Sequence, residues 1–594
     1  MTTGTTDNSS KDQHHHLPHL HPNIIKDSSA GGAGIIAGEL AAEDEGLISN
    51  AQLKSHSYGA IQASSSEDTI SSADDNGGYA LPKRQLFTVI SSLFMAAYLA
   101  ALDMTVVTTL LTLIASDLKS ISNISWIATA YLLSCSAFQP LFGKLSDIFG
   151  RKNLLMLCCA FFAVGCMICV TDSLFWLVIG RFVTGIGGSG LTSLGTITMS
   201  DLIPLRDRGF YQGLANVFFG LGSASGGMVG GLIADYFGWK YVFILQVPLA
   251  VVLGVSLYLN LNLPEGSPGL GAHGVDIRQK LKRVDFLGSF CLVSSLMLIL
   301  TAASLGGKDI PYSSNTFIAL VSTSFFLLGA FGYVEAYVSE EPIIPIHLLA
   351  NRTILASSLT NWFYTMGIFT YLFYIPVYYT SVMQFTATQN GLRLVPNFFG
   401  VSIGSIGAGI YMRSTGKYYN FTIAVGILSV IGVIRILCIS PEIPTWEQFV
   451  LLLPSGLGYS SMLTVTLLSL IAAVPAKYQA CTTSIQYTFR STGSTLGVAI
   501  ASAIFQNLLR SNLYTKIYAL VPDKDEAAEI IAQALANTNY SNHAPTALIK
   551  QAIIDSYANG CRGAFWFSVI TVIVGFATSL FMREHKLHTS INRD

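Results

Sequence analysis

From Leu86 onward the chain alternates between long apolar runs and short polar interruptions. A run of about 20 apolar residues is long enough for a helix to cross the hydrocarbon core of a bilayer. By that measure about fourteen spans are expected, near 86–110, 124–143, 153–171, 174–198, 211–234, 241–262, 285–304, 315–338, 353–380, 391–412, 421–438, 447–473, 481–505 and 561–582. Such spans must be helices, because a backbone facing lipid has to satisfy its own hydrogen bonds. Residues 1–84 show no apolar periodicity and are rich in Ser, Gly, Asp and His, which predicts a disordered tail. A second short tail is expected over 583–594.

One interruption is unusual. Gly143-Lys144-Leu145-Ser146-Asp147-Ile148-Phe149-Gly150-Arg151-Lys152 is a polar island between two apolar flanks. The pattern predicts a short basic turn between the second and third spans. Its glycines permit a tight turn, and Asp147 has Lys144, Arg151 and Lys152 to pair with. A turn that only fixes topology accounts for the basic residues, but not for the spacing of Gly and Asp.

Lys and Arg then set the orientation. With the N-terminus in the cytoplasm, that side collects Lys83, Arg84, Lys144, Arg151, Lys152, Arg206 and Arg208. It also collects Arg278, Lys280, Lys282, Arg283, Arg352, Arg413, Lys417, Lys477, Arg583 and Lys586. The opposite short loops hold little beyond Lys119, Lys240 and Lys308, so both termini are expected in the cytoplasm. The one long loop on the far side is expected over 506–560, with a short helix at Asp523–Leu535 and a glycosylation sequon at Asn539.

Composition agrees with this picture. The chain of 594 residues is 51% hydrophobic and only 11% charged, against roughly 25% charged in soluble domains. Its net charge of −1 excludes a nucleic-acid binder driven by bulk charge. The nine cysteines lie in or beside apolar runs without metal spacing, and read as small core residues. No metal or cofactor site is expected, and no G-x-x-x-x-G-K-[ST] stretch accompanies the spans, which argues against an ATP-driven pump.

Several residues stand out chemically. Asp103 falls mid-span, where it can take up a proton, bind a cationic substrate or pair with a polar neighbour. Arg181 lies inside the fourth span and calls for an acidic partner. Gly213, Gly222, Gly226, Gly227, Gly230 and Gly231 form a ladder in the fifth span that lets helix backbones approach closely. Gln139, Asn216, Gln246, Asn361 and Gln486, together with Asp103, are candidates for lining a substrate cavity. In the tail, His14, His15, His16, His19 and His21 read either as a metal-binding run or as a solvated one. Glu43, Leu47 and Ile48 match an acidic dileucine sorting signal, and Tyr58-Gly59-Ala60-Ile61 a tyrosine-based one, either of which would engage a sorting adaptor.

The island resembles the signature loop of the major facilitator superfamily, G-x-L-x-D-x-x-G-R-[RK], at every defining position. Gly180-Arg181-Phe182-Val183-Thr184-Gly185-Ile186-Gly187 resembles that family's R-x-x-x-G-x-G stretch, whose arginine is linked to proton transfer. The glycine ladder resembles the antiporter signature G-x8-G-x3-G-P-x2-G-G, except that Gly227 stands where proline is usual; a plain packing face explains it equally. Leu102-Asp103-Met104-Thr105-Val106-Val107 resembles the L-D-x-T-I-V segment of the fourteen-span drug:proton antiporters. Pro342–Pro345, Gly391–Pro396 and Arg490 with Gly493 and Gly497 are similar to segments of that branch, and Gly409–Lys417 is similar to a degraded copy of the island.

The resemblance implies an all-α integral membrane protein of the major facilitator fold. Its six-helix bundles would occupy 85–262 and 341–582, with two extra spans in 263–340. It implies a monomeric proton-coupled secondary transporter, driven by a proton gradient and not an enzyme. Asp103 and Arg181 would couple protons, and Gly143, Asp147, Gly150, Arg151 and Lys152 would gate the cytoplasmic face. The span-1 sequence and the long tail resemble fungal vacuolar basic amino acid transporters, which implies Lys, Arg or His as cargo at the vacuolar membrane. A plasma-membrane multidrug:proton exporter, a siderophore transporter and a non-transporting nutrient sensor are the other readings.

Overall fold

The computed structural model describes residues 81–118, 125–263, 267–272, 274–306, 310–385, 387–536, 540, 545–585 and 587. The tail calls (the His run, Glu43, Leu47, Ile48 and the Tyr58 motif) and the sequon at Asn539 lie outside them. Asp74–Asp594 forms one compact unit. The described residues are helical, with no strand beyond an isolated bridge between Gly306 and Ile310.

The long helices, in order, are α1 Lys83–Asp117, α2 Ser125–Phe149, α3 Arg151–Ile168, α4 Leu174–Leu202, α5 Leu205–Phe237, α6 Lys240–Asn260, α7 Phe286–Leu305 and α8 Asn315–Tyr337. They continue with α9 Arg352–Ser381, α10 Ala387–Thr415, α11 Tyr419–Leu437, α12 Leu453–Ala472, α13 Gln479–Leu520 and α14 Ala547–Ser579. Among the described residues, twelve helices are long and apolar enough to cross a membrane. The count of fourteen expected from the sequence exceeds this by α2 and α9, which have the length but carry many Ser, Thr and Tyr. Polar groups on such helices are tolerated where they face protein rather than lipid. In α9 nineteen residues are buried, among them Ser357, Ser358, Thr360, Asn361 and Thr365.

Helix pairing follows one scheme twice. In the first half α1 packs on α5 and α6, α2 on α4, and α3 on α4 and α6. In the second half α9 packs on α13 and α14, α10 on α12, and α11 on α12 and α14. Counting α9 as the counterpart of α1 makes the two lists correspond pair by pair, which is the internal repeat found in transporters of this architecture. Each half has its own apolar core. One is built from Leu99, Val106, Phe162, Leu194 and Phe243, the other from Tyr371, Ile375, Leu509, Tyr557 and Phe565. The halves meet along two seams, α5 against α10 and α2 against α13.

The hairpin of α7 and α8 rests against α2 and α13. Its two helices are joined at mid-depth by reciprocal bonds, in which Ser295 Oγ donates to Ser324 O and Ser324 Oγ to Ser295 O, each at 2.9 Å. Phe290, Phe325 and Phe326 on its outer faces are 62–74% exposed, as a lipid-facing surface requires.

Two expectations need correction. The long loop placed at 506–560 is mostly helix: α13 runs on to Leu520, Lys524–Ala536 forms the short helix, and α14 begins at Ala547. Phe505, Leu509, Leu513 and Ile517 recur at every fourth position and bury their side chains, so the apolar stripe continues after overall hydropathy has fallen. At 42 residues α13 is about 63 Å long, about twice the hydrocarbon thickness of a membrane. The second correction concerns the island, which is barely a turn. Gly143–Phe149 are the last turns of α2, and α3 restarts at Arg151. Gly150 alone breaks the helix, with φ +87, and a Cβ there would lie 2.7 Å from the Leu270 carbonyl.

Candidate functional site

The end of the molecule that carries the island is where its charges concentrate. Arg151 is 2% exposed; it bonds the Ser146 hydroxyl, Asp147 at 2.7 Å and Asp201 of α4 at 2.9 Å. Lys152 donates to Asn262 at 2.7 Å and lies 4.8 Å from the Tyr258 ring. Lys144 reaches the second half of the chain, where it pairs with Glu341 at 2.9 Å; Arg283 holds the same carboxylate at 2.6 Å. Arg413 pairs with Asp207 at 2.7 Å, and Arg206 donates to the Arg413 carbonyl at 2.6 Å. Burial alone would raise the Glu341 carboxyl. Hydrogen bonds and charge from Arg283 and Lys144 outweigh it and hold the group below the usual range.

Backbones also close at this end. A Cβ on Gly143 would meet the Ser484 hydroxyl at 2.5 Å and the Ala480 carbonyl at 2.6 Å, across the α2–α13 seam. Across the other seam, a Cβ on Gly409 would strike the Gly209 backbone. The two halves are therefore clamped together at the island end. Asp201, Glu341 and the Asp207–Arg413 pair were not singled out from sequence. Their only sequence signal is that they lie just past span ends on the same side as the island.

Asp103 and Arg181 come together deep in the first half. Arg181 Nη1 donates to both Asp103 oxygens at 2.8 Å, and the two residues are 1% and 0% exposed. The guanidinium lies 4.4 Å from the Tyr131 ring and 5.9 Å from that of Phe243. Its Nε has no partner. Gln246 of α6 is within reach of the carboxylate and donates to the Val242 carbonyl.

The central cavity, about 120 Å³ as traced by a water-sized sphere, lies at the seams between the halves. Gln139 and Asn216 line it, together with Tyr131, Gln212, Tyr487 and Arg490. A smaller chamber, about 20 Å³ on the same measure, shares Gln212, Asn216, Tyr487 and Arg490 and adds Asn361 and Gln486. Asp103 and Gln246 were expected in the cavity wall and are not there. The carboxylate is enclosed by α1, α4 and α6 and spent on Arg181, and Tyr131 stands at the cavity wall with its ring against that pair.

The glycine ladder serves two neighbours. Gly222, Gly226 and Gly230 abut Tyr98, Thr105 and Val106 of α1, while Gly213 abuts Ser405 and Ile406 of α10. Gly231 has open space around its Cβ position, and Gly227 is half-buried.

Arg490, Tyr487 and Gln212 were missing from the expected cavity residues. A signal existed: Tyr487, Arg490, Ser491 and Ser494 follow the i, i+3, i+4, i+7 spacing of one helix face and all line the cavity. Asn216 Nδ2 donates to Ser405 Oγ at 2.7 Å and Thr196 meets Tyr487 at 2.6 Å, so polar side chains cross the seams beside the cavity.

The Major Facilitator Superfamily model matches residues 93–498. The chain belongs to the major facilitator superfamily. Among its relatives is the vacuolar membrane amino acid uptake transporter fnx2 of Schizosaccharomyces pombe, 34% identical over 84% of this chain and 84% of that protein. The multidrug resistance protein fnx1 of the same organism is 32% identical over 85% and 94%. Vacuolar basic amino acid transporter 2 of Saccharomyces cerevisiae is 33% identical over 76% and 95%. Among solved structures, the proton:xylose symporter XylE has a TM-score of 0.53 at 12% identity, over 86% of this chain and 99% of that one. That likeness concerns the fold. The protein is thus a multi-pass membrane transporter of small molecules, and its superfamily consists of transporters rather than enzymes.

Proposed function

We propose that this major facilitator transporter is a proton-coupled antiporter that moves basic amino acids from the cytosol into the vacuole. The observation that carries this reading is the similarity, across more than three quarters of the chain, to proteins named as vacuolar amino acid transporters. A cavity walled by both halves suits alternating access, in which one bundle rocks against the other around a fixed site. The closed island end is then the cytoplasmic gate, with Lys144–Glu341 and Arg413–Asp207 as its clasps. Asp103 and Arg181 form the proton-coupling element, since a carboxylate shared with an arginine is released when it takes up a proton. The two helices short of the apolarity criterion, α2 and α9, cross the membrane inside the bundles, giving fourteen spans.

A second reading, a multidrug:proton exporter at the plasma membrane, is favoured by the likeness to fnx1 and by the apolar part of the cavity wall. Uptake into proteoliposomes separates the two. With an imposed pH gradient, labelled lysine should accumulate and collapse on adding a protonophore. Accumulation of a lipophilic cationic dye without lysine would overturn the amino acid reading.

A further inference from the structure

The polar inventory of the cavity is lopsided. Among the described residues that line it, Arg490 alone carries a charge. Its guanidinium lies 5.7 Å from the Phe219 ring and 5.9 Å from that of Tyr487, and Tyr459 brings its hydroxyl toward it from α12. No carboxylate stands in either wall. A half-buried cation facing aromatic rings across a cavity retains donors for an anion, and guanidinium matches a carboxylate two bonds at a time.

The opposite need is present in the same chamber. Gln212 Nε2 donates to Asn216 Oδ1 at 3.3 Å, Gln486 Nε2 to Thr466 Oγ1 at 2.9 Å, and Asn361 Nδ2 to the Gln486 backbone carbonyl at 3.1 Å. These bonds fix which way each amide points. The amide oxygens of Gln212, Asn361 and Gln486 are all buried, and none has a donor among the described residues. Buried acceptors left open are costly, and three around one chamber ask for a group that donates several bonds at once. An ammonium has three donors and no acceptor.

We infer that Arg490 grips the carboxylate of the cargo while the amide oxygens of Gln212, Asn361 and Gln486 receive its α-ammonium. The cavity is thereby built for a zwitterionic α-amino acid rather than for a cation as such. This rests on the amino acid reading above and supplies the contacts that it lacked. The cargo side chain then extends into the larger cavity. There Gln139 offers a further buried oxygen without a donor, suited to the distal nitrogen of a basic side chain. The recognition element is the backbone of the amino acid, and Asp103 stays on Arg181.

The test is binding of labelled lysine to the full chain in nanodiscs, with unlabelled lysine and 1,5-diaminopentane (lysine without its carboxylate) as competitors. Wild type should prefer lysine by roughly tenfold to a hundredfold, the range of a charge-assisted paired contact. Arg490→Gln should weaken lysine by a similar factor and bring the two competitors level. Arg490→Lys keeps charge but not the fork, and should fall between. Equal competition by diaminopentane in wild type, or unchanged lysine affinity in Arg490→Gln, overturns the carboxylate subsite while leaving amino acid transport standing. Absence of lysine binding to wild type overturns both. Should Arg490→Gln fail to fold, the wild-type competition decides alone.

Discussion

Replacing Asp103 by Asn tests the buried ion pair at its centre. The carboxylate is 0% exposed and receives Arg181 through both oxygens at 2.8 Å. The substitution keeps size and shape but leaves a guanidinium without counter-charge, its Nε already unpartnered. Ring contacts with Tyr131 and Phe243 exist with or without the carboxylate, so they do not alter the difference. Breaking a buried pair on one side costs about 3–5 kcal/mol. Unfolding entropy of about 2.1 cal/mol/K per residue over roughly 500 residues makes one degree worth about 1 kcal/mol, so the midpoint should drop by about 3–5 °C. Thermal unfolding in nanodiscs, followed by intrinsic fluorescence, reads this directly. The double variant Asp103→Asn/Arg181→Gln removes both charges and should recover at least half of the loss. An Asp103→Asn midpoint within a degree of wild type would refute the charge argument. So would a double variant as unstable as the single one. The same double variant addresses coupling. It should exchange labelled lysine across the membrane yet fail to accumulate it under a pH gradient. Full gradient-driven accumulation would remove Asp103 from the coupling role.

Further outcomes follow from the closed end and the tail. Gly409→Val forces a branched side chain into the Gly209 backbone, which has nowhere to move, and should hold the island end open; spin-label distances across the α5–α10 seam should lengthen. Glu341→Gln frees Lys144 and Arg283 at a cost of about 0–1 kcal/mol per partly exposed pair. Alkylation of Cys481, buried behind that clasp, should rise severalfold in a background lacking other cysteines. The pH sign is set by the depressed Glu341 carboxyl: the clasp is intact above the ordinary value of 4.5 and is lost as pH falls through the lower folded value. Cys481 protection that disappears between pH 7 and 5 would contradict it. Leu47→Ala with Ile48→Ala should send a fluorescent fusion from the vacuolar membrane to the cell surface, and an unchanged pattern removes the dileucine signal. Asn539→Gln should abolish any mobility shift caused by glycosidase treatment.

The fold was legible because its main constraint is linear. A bilayer demands runs of about 20 apolar residues, and most helices register as such runs. The departures are of two kinds. α2 and α9 are sheltered by neighbouring helices, so they carry the Ser, Thr and Tyr that a lipid-facing helix cannot. The extensions of α13 and α14 lie beyond the apolar window, and only four-residue stripes mark them, through Leu509, Leu513 and Ile517 in the first and Ile549, Ile553 and Tyr557 in the second. The pairing of Asp103 with Arg181 was half legible. Each residue was conspicuous alone, because a charge inside a span needs a partner, but which partner depends on how α1 and α4 pack.

The cavity was least legible, for a physical reason that also governs selectivity. Whether a polar side chain faces cargo or a neighbouring helix depends on helix rotation, which hydropathy does not encode when all faces are buried. Gln246 and Gln486 are the same residue type and both buried, yet one lies beside the Asp103–Arg181 pair and the other lines a chamber with Arg490. Charge conspicuousness misleads in the same way. Asp103 drew attention as the acid in span 1, and Arg181 pairs with it, whereas Arg490 stood out only with Gly493 and Gly497 as a family-like segment and is the charge that lines the cavity. A cavity whose one charge among the described lining residues is positive gains no Coulomb attraction for a bare cation and would repel it. On the proposed amino acid reading, selectivity for a basic side chain depends on gripping the carboxylate first and offsetting the side-chain charge with amide oxygens. Related chains that carry bare cations should lack a counterpart of Arg490 or place a carboxylate opposite it.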